Sequence, residues 1–453
     1  MSGLLDSLNA ASNALIAQRM GLDVVGQNLA NINTPGYSRR TLDLAEVAPT
    51  DPLSAGRGVM VEGVRALRDQ FVDARLRREQ GNTGHDQALA EVLGTIEAGV
   101  GLPGSSLDAQ LTAFFDAFSA LASDPTSPVA RDSVVRQGAD LTTAFHDLAS
   151  QLTQARQDAD TSVRASVTEV NALATELAKL NGSLASHNYD AETIRDRQGV
   201  ILQRLGELAD VSVLARQDGG VDVTLASGRA IVIGDNAYSL DVPPTGMATV
   251  SLAGVDVTPE LTGGRIGGLL QVRDTIVPGY SAQIDQLAHD FAAAVNTTHA
   301  AGFDATGAAA GNFFTPPTGV AGAASSISVD ASILADSSRV AASGTGAPGD
   351  NGAARQLAAM RNTAITGGGT QSAIDAWRAL TFDIGNDVSA ARAAQASHGQ
   401  IVTQLQALRA QASGVSYDEE AAHMMRYQRA YEANARYFKT ITDTLDALMN
   451  MVQ

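Results

Sequence analysis

Seven histidines, at positions 85, 146, 187, 289, 299, 398 and 423, are with the carboxylates the candidates for metal or acid–base chemistry in a chain that has no cysteine. Without thiols there is no disulfide, no thiolate ligand and no thiol nucleophile. Glu419 and His423 stand four residues apart, a spacing that puts both on one helical face and suits a pair of metal ligands. No second pair accompanies them, so a solvated helix face is expected, with no metal and no cofactor. Glu419 and Glu420 are adjacent carboxylates, but close to a helix start they serve to offset the positive end of the helix dipole. Gly263-Gly-Arg-Ile-Gly-Gly268 has the glycines of a phosphate loop without its lysine or the following Ser or Thr. It reads as a turn leading out of a β segment. No Walker-type loop, HExxH or Gly-x-Ser-x-Gly occurs, and no enzymatic activity is expected.

The bulk properties narrow the classes further. A net charge of −18 over 453 residues leaves no basic face for neutralising phosphates, which argues against a nucleic-acid partner. Acidity of this size keeps a self-associating chain soluble. Apolar residues reach 44 % while aromatics are only 4 %, a balance weighted to Ala, Leu and Val that suits long, closely packed helices. Trp377, the single tryptophan, is expected in the core. No apolar run is long enough to span a bilayer, and Met1-Ser-Gly-Leu-Leu-Asp-Ser7 lacks the basic and apolar regions of a cleaved signal.

The elements that would position any working surface are clearest at the two ends. Leu4, Leu8, Ala11, Leu15, Leu22, Val25, Leu29 and Ile32 alternate by four and three, with polar Gln18 in the same row. This heptad predicts a helix over residues 3–32 that packs lengthwise on another helix. It stops at Asn31-Ile-Asn-Thr-Pro-Gly-Tyr37, where Pro35 and Gly36 suit the middle of a type II turn. At the other end Ser416-Tyr-Asp-Glu419 has capping-box spacing. Met424, Tyr427, Tyr431, Phe438, Ile441, Leu445, Leu448 and Val452 then repeat the pattern, with Asn434 as its polar break. Each stripe needs a partner, and the other stripe is the economical one. Tyr427 and Tyr431 are expected to be buried against the first helix, with Tyr437 a further interface anchor. Gln18 and Asn434 are candidates for setting register.

Inside these ends the pattern stays helical over residues 84–98, 106–122, 129–187, Pro278 to Thr298, Gly352 to Met360 and Ala373 to Ala412. Between Val211 and Gly264, short β-branched runs alternate with Gly-containing turns and predict a small antiparallel β domain. Ser326 to Val329 is a candidate extra strand, and 341–370 reads as loops with a short helix. The fold class is therefore mainly α with a small β domain, in three nested layers. Residues 1–45 with 405–453 form a terminal coiled coil. Residues 46–190 with 270–404 form a helical bundle, and 191–269 an outer β domain.

Ala30-Asn-Ile-Asn-Thr-Pro-Gly-Tyr-Ser-Arg39, directly after the first heptad helix, resembles the N-terminal signature of the flagellar rod, hook and hook-associated axial proteins. Asn31, Asn33, Thr34, Pro35, Gly36 and Tyr37 carry that motif. Further blocks resemble the hook-associated members: Leu121 to Arg131, Leu261 to Leu270, Gln283 to Asp304, Gly311 to Thr315, Ala347 to Asn351, Ser413 to Ala422 and Tyr427 to Tyr431. The resemblance implies a structural subunit joining hook to filament, added at the hook tip after type III export without a cleaved signal. It implies paired terminal helices around a central channel, a helical shell and an outward β domain. The implied partners are a ring of further copies, the hook protein, a second hook–filament junction protein and an export chaperone on the C-terminal helix, and the implied location is the extracellular flagellum. A rod or hook subunit is the alternative, but would not carry the Asp304 to Thr315 block or this C-terminus. A secreted coiled-coil adhesin or enzyme is more distant, lacking any visible site. Because an isolated heptad helix is marginal in water, residues 1 to about 40 and 405 to 453 are expected to order only on assembly.

Overall fold

The computed structural model describes residues 2–48, 57–100, 106–185 and 190–452, so His187 lies outside it. The fold is mainly α with small antiparallel sheets. In chain order the elements are α1 (Ser2–Ala30), β1 (Arg40–Glu46), β2 (Val59–Ala66), α2 (Gln70–Val100), α3 (Leu107–Ser123), α4 (Pro128–Ala185) and α5 (Ala191–Leu208). The short strands β3 (Val211–Ala215), β4 (Val221–Leu225), β5 (Ala230–Ile233), β6 (Asn236–Ala237), β7 (Leu240–Asp241), β8 (Ser251–Leu252) and β9 (Val255–Asp256) follow. Then come α6 (Gly264–Gln271), a π-helical step at Val272–Ile276, α7 (Val277–Ala300), α8 (Ala323–Ser326), α9 (Ala331–Ala335), α10 (Gly352–Ala359), α11 (Ala373–Ser413) and α12 (Tyr417–Val452).

The chain divides into two compact units: Met1–Gly81, Glu169–Leu240 and His398–Gln453 in one, Asn82–Thr168 and Asp241–Ser397 in the other. This division differs from the three expected layers, since the sheet β3-β4-β5-β6 belongs to the same unit as α1 and α12. Within that unit, Asn181 of α4 is 6 % exposed and holds the sheet to the helix. Its Nδ2 donates to the carbonyls of Val221 and Gly234, and its Oδ1 accepts from the Val221 amide and from Gln198.

The second unit is built around phenylalanine. Phe114, Phe115, Phe118, Phe145, Phe291, Phe313 and Phe314 are almost wholly buried, with ring centroids 4.9–6.5 Å apart and mostly edge-on. Trp377 lies in the same core. Phe313 and Phe314 come from the Gly311 to Thr315 block, which two polar side chains of α7 hold in place. Asn296 Oδ1 accepts from the amides of Phe313 and Phe314, and its Nδ2 donates to the Phe314 carbonyl. His299, fully buried, donates from Nδ1 to the Gly311 carbonyl and accepts at Nε2 from the Ala341 amide. That bonding needs the neutral ring, and burial lowers its pKa to about 4.

Four local expectations are corrected. Strands β1 (residues 40–46) and β2 (residues 59–66) pair antiparallel, where the expected layers put the edge of the terminal coiled coil up to residue 45 and the helical bundle from residue 46. Residues 191–208 are helix α5, not the start of a β domain, because Asp190 caps the Glu192 amide and Ile194, Ile201, Leu202 and Leu205 make an apolar face. Gly263 to Gly268 is the start of a helix, not a turn. A Cβ on Gly267 would lie 2.4 Å from the Thr262 carbonyl carbon, and one on Gly268 2.4 Å from the His85 oxygen, so these glycines permit close backbone packing. Ser326 to Val329 is the end of α8 followed by a single bridge, Phe314 to Val329.

Candidate assembly site

Helices α1 and α12 pack antiparallel along their length. Asn28 meets Glu420 and Gly21 meets Tyr427, a step of seven on each helix, so Leu15 falls opposite Ala433 and Ser2 opposite Asp446. The contact line on α1 consists of small residues rather than leucines. Ala11, Ala17, Gly21, Val24, Val25 and Asn28 are buried, whereas Leu4, Leu8, Leu15, Leu22 and Leu29 are only half-buried beside them. Gly21 is required by proximity, because a Cβ there would lie 2.5 Å from the Tyr427 ring. On α12 the covered line runs through Glu420, Met424, Tyr427, Asn434, Phe438, Ile441 and Leu445.

The pair is locked at one end by a polar clasp. Asn28 is 1 % exposed, and its amide makes four hydrogen bonds. Nδ2 donates to the Arg40 carbonyl and to Glu420 Oε2, each at 3.0 Å, while Oδ1 accepts from the Arg40 amide at 3.0 Å and the Tyr37 hydroxyl at 2.9 Å. Glu420, also 1 % exposed, accepts Arg39 Nε at 2.7 Å on its other oxygen. Arg39 reaches Glu419 as well, at 2.9 Å. A buried carboxylate is tolerable here because a guanidinium and an amide both bond to it. A heptad pair can slip by seven residues with little loss of apolar contact, and a fully satisfied buried polar pair removes that freedom.

The motif after α1 builds the other half of the clasp. Asn31 Nδ2 donates to the Gln27 carbonyl and its Oδ1 accepts from the Thr34 hydroxyl, ending the helix. The Tyr37 amide donates to the Thr34 carbonyl with Gly36 at φ +82°, as a type II turn requires. A Cβ on Gly36 would also lie 2.4 Å from Val200 of α5. The turn thus returns Tyr37 onto Asn28, and burial raises the Tyr37 pKa, which keeps its hydroxyl protonated and donating. Arg40 sits over the Tyr37 ring and bonds Thr193 at 2.7 Å and Asp190. Burial alone would raise the Asp190 carboxyl, but the Thr193 hydroxyl and Arg40 together hold it below its ordinary value. Arg68 adds 2.7 Å bonds to Glu192 and Asp196.

Of the residues expected on the seam, Val25 and Ile441 are buried, and Met424, Tyr427, Phe438 and Leu445 are half-buried against α1. Tyr431 and Leu448 are exposed at 40 % and 41 %, and Ile32 at 39 %, so the expected burial of Tyr431 does not occur. Tyr437 is exposed too. Gln18 and Asn434 are half-buried and lie opposite Ala430 and Ala14. Neither forms a hydrogen bond across the pair among the described residues. Asn33, Thr34 and Pro35 are exposed. Glu419 is held by Arg39 and His423 by Arg426, so the pair with metal-ligand spacing is engaged elsewhere. The capping-box reading of Ser416 also missed that Glu419 turns to Arg39. Gly21, Asn28 and Arg40 carried no expectation from the sequence, Arg39 stood only as the last residue of the signature, and Glu420 only as a charge offsetting the helix dipole. A row of small residues at helical spacing ending in Asn28 was the available signal.

Three family descriptions match successive parts of this chain. The flagellar hook-associated protein FlgK helical domain matches residues 93–314, the flagella basal body rod protein residues 8–37, and the flagellar basal body rod FlgEFG protein C-terminal residues 408–451. Flagellar hook-associated protein 1 of Escherichia coli strain K12 is 26 % identical, with 98 % of this chain and 99 % of the relative covered. The protein of the same name from Bacillus subtilis strain 168 is also 26 % identical, with 99 % of each covered. Among solved structures, the flagellar hook junction protein FlgK of Burkholderia pseudomallei superposes with a TM-score of 0.65 at 17 % identity, covering 74 % of this chain and 99 % of its own.

Proposed function

We propose, starting from the fact that the chain belongs to the flagellar hook-associated protein family of FlgK, that it is the structural subunit joining hook to filament. The observation that carries this reading is the α1–α12 pair clasped through the axial-protein motif, in a chain whose relatives match it from end to end. Its work is mechanical, and it has no catalytic role. The chain is exported without a cleaved signal and sits outside the cell, at the hook tip. There it contacts further copies of itself in a ring, the hook protein on one side and a second junction protein on the other. Before export, a chaperone covers α12. The terminal helices form the inner layer of the assembly.

Electron microscopy of cells lacking this gene tests the reading. Hooks without filaments, with filament subunits lost to the medium, are expected. Cells without hooks would move the protein to the rod or hook, and normal flagella would end the proposal.

A further inference from the structure

The sheet β3-β4-β5-β6 has two edges, and only one of them is guarded. At one edge β6 has two residues, too short to template a further strand. At the other, β3 has five, Val211-Ser-Val-Leu-Ala215, without charge, proline or glycine, and it pairs with β4 alone. The Arg216 amide donates to the Gly220 carbonyl and the Ala226 amide to the Asp210 carbonyl, so the even-numbered residues of β3 are the ones bonded to β4. Val211, Val213 and Ala215 therefore turn their amides and carbonyls away from the sheet. No hydrogen bond reaches these groups among the described residues.

We infer that β3 is the pairing surface for β3 of a second copy, joined antiparallel about a two-fold axis at Val213. An open edge of this kind is completed by another extended backbone, and the sequence of β3 fits its own. Centred on Val213, the register sets Val211 opposite Ala215 and Val213 opposite itself, so every outward amide and carbonyl of both strands is bonded. A shifted register leaves some of them unused. Ser212 falls opposite Leu214, and the two Leu214 side chains, each 59 % exposed in the single chain, become diagonal neighbours within reach of each other. Exposed Asp210 falls opposite Arg216 at both ends of the pairing. Arg216 holds Asp218 and Asp222 through Nε and one donor on each terminal nitrogen, which leaves a free donor on each for the second chain's carboxylate. Such a contact is isologous and closes at two copies, whereas rings and helices need heterologous contacts. It acts on the chain in solution, where it covers an edge that otherwise invites indiscriminate strand pairing, and it stands apart from the hook–filament reading.

Sedimentation of the purified chain over a range of concentrations tests the contact, with Val213→Pro as the variant. The Val213 amide faces away from β4, so proline there removes a bond to the second copy and none within the sheet. The unsubstituted chain should show a concentration-dependent equilibrium of monomer and dimer, and Val213→Pro should associate at least tenfold more weakly. A chain that stays monomeric at every concentration, or a dimer that Val213→Pro leaves intact, overturns the contact. Should circular dichroism show Val213→Pro to be unfolded, trapping by cysteine decides, because the chain has none of its own. Ser212 and Leu214 of the second copy form a non-hydrogen-bonded pair with Cα atoms about 4.5 Å apart, within disulfide range. Two Ser212 or two Leu214 lie diagonally at roughly 7–8 Å, outside that range. Oxidising a mixture of Ser212→Cys and Leu214→Cys chains should give a linked dimer, and either variant alone should give none. No link in the mixture, or an equal yield from a single variant, overturns the contact.

Discussion

At the scale of single residues, two buried side chains illustrate how polar groups fix a fold whose bulk is leucine and alanine. Asn28 bonds at all four of its positions, and His299 bonds at both ring nitrogens. For His299 the consequence is a pH dependence whose sign is determined. Its folded pKa, about 4, lies below the unfolded value near 6.5, so the unfolded chain holds the proton more tightly. Its contribution is complete above about pH 6.5, declines as the pH falls towards 4, and amounts to about 3 kcal/mol across that range. Thermal melts at pH 7 and pH 5 should show the loss, and His299→Gln should flatten it. Equal slopes for both proteins would remove His299 as the cause. Asp350 is held well below the ordinary carboxylate range by the hydroxyls of Thr345 and Ser343 and by nearby amides, so its contribution persists to lower pH before protonation removes it.

Among the elements, long periodic helices were legible in the sequence. The starts of α3 and α4, the end of α1 and the whole of α11 fall within a few residues of the positions expected. What the periodicity could not reveal was which of two neighbouring rows on α1 meets α12. The leucines form the stronger apolar row, but Gly21 and the alanines allow the backbones closer together, and the buried Asn28–Glu420 bond selects that face. Helix α5 was missed because short strands follow it without a break in composition, and the β1–β2 hairpin because its pairing partners are 26 residues apart at the base, Arg40 with Ala66. Two glycines of α1 make the packing argument measurable. A Cβ on Gly26 meets nothing within 4 Å, so Gly26→Ala should stabilise the helix by about 1 kcal/mol through propensity alone. Gly21→Ala gains the same propensity but forces Tyr427 away, at a cost of about 1–3 kcal/mol. Opposite signs are expected in denaturant titrations followed by circular dichroism, and a stabilising Gly21→Ala would mean Tyr427 does not pack there.

For the whole molecule, the two ends of the α1–α12 pair are unequally supported. The clasped end is tied through Asn28, Tyr37, Arg39, Arg40 and Glu420 to α5 and to the hairpin, while the far end exposes Leu448, Met449 and Met451. The sequence suggested that residues 1–40 and 405–453 order together on assembly, and the clasp refines this into a gradient. Limited proteolysis of the isolated chain should cut first within residues 2–20 and 430–452, with the clasp and the phenylalanine core surviving longest. Early cleavage between 24 and 45 would contradict that order. The motif residues were recognisable from sequence as a signature, but their physical role was not, because Asn28 and Glu420 are 392 positions apart.

The antiparallel clasp also has a mechanical meaning. When the two helices are pulled lengthwise in opposite directions, the bonds from Asn28 and Glu420 lie across the line of pull and share the load in shear, so they must fail together. Prying the helices apart sideways would break them one after another.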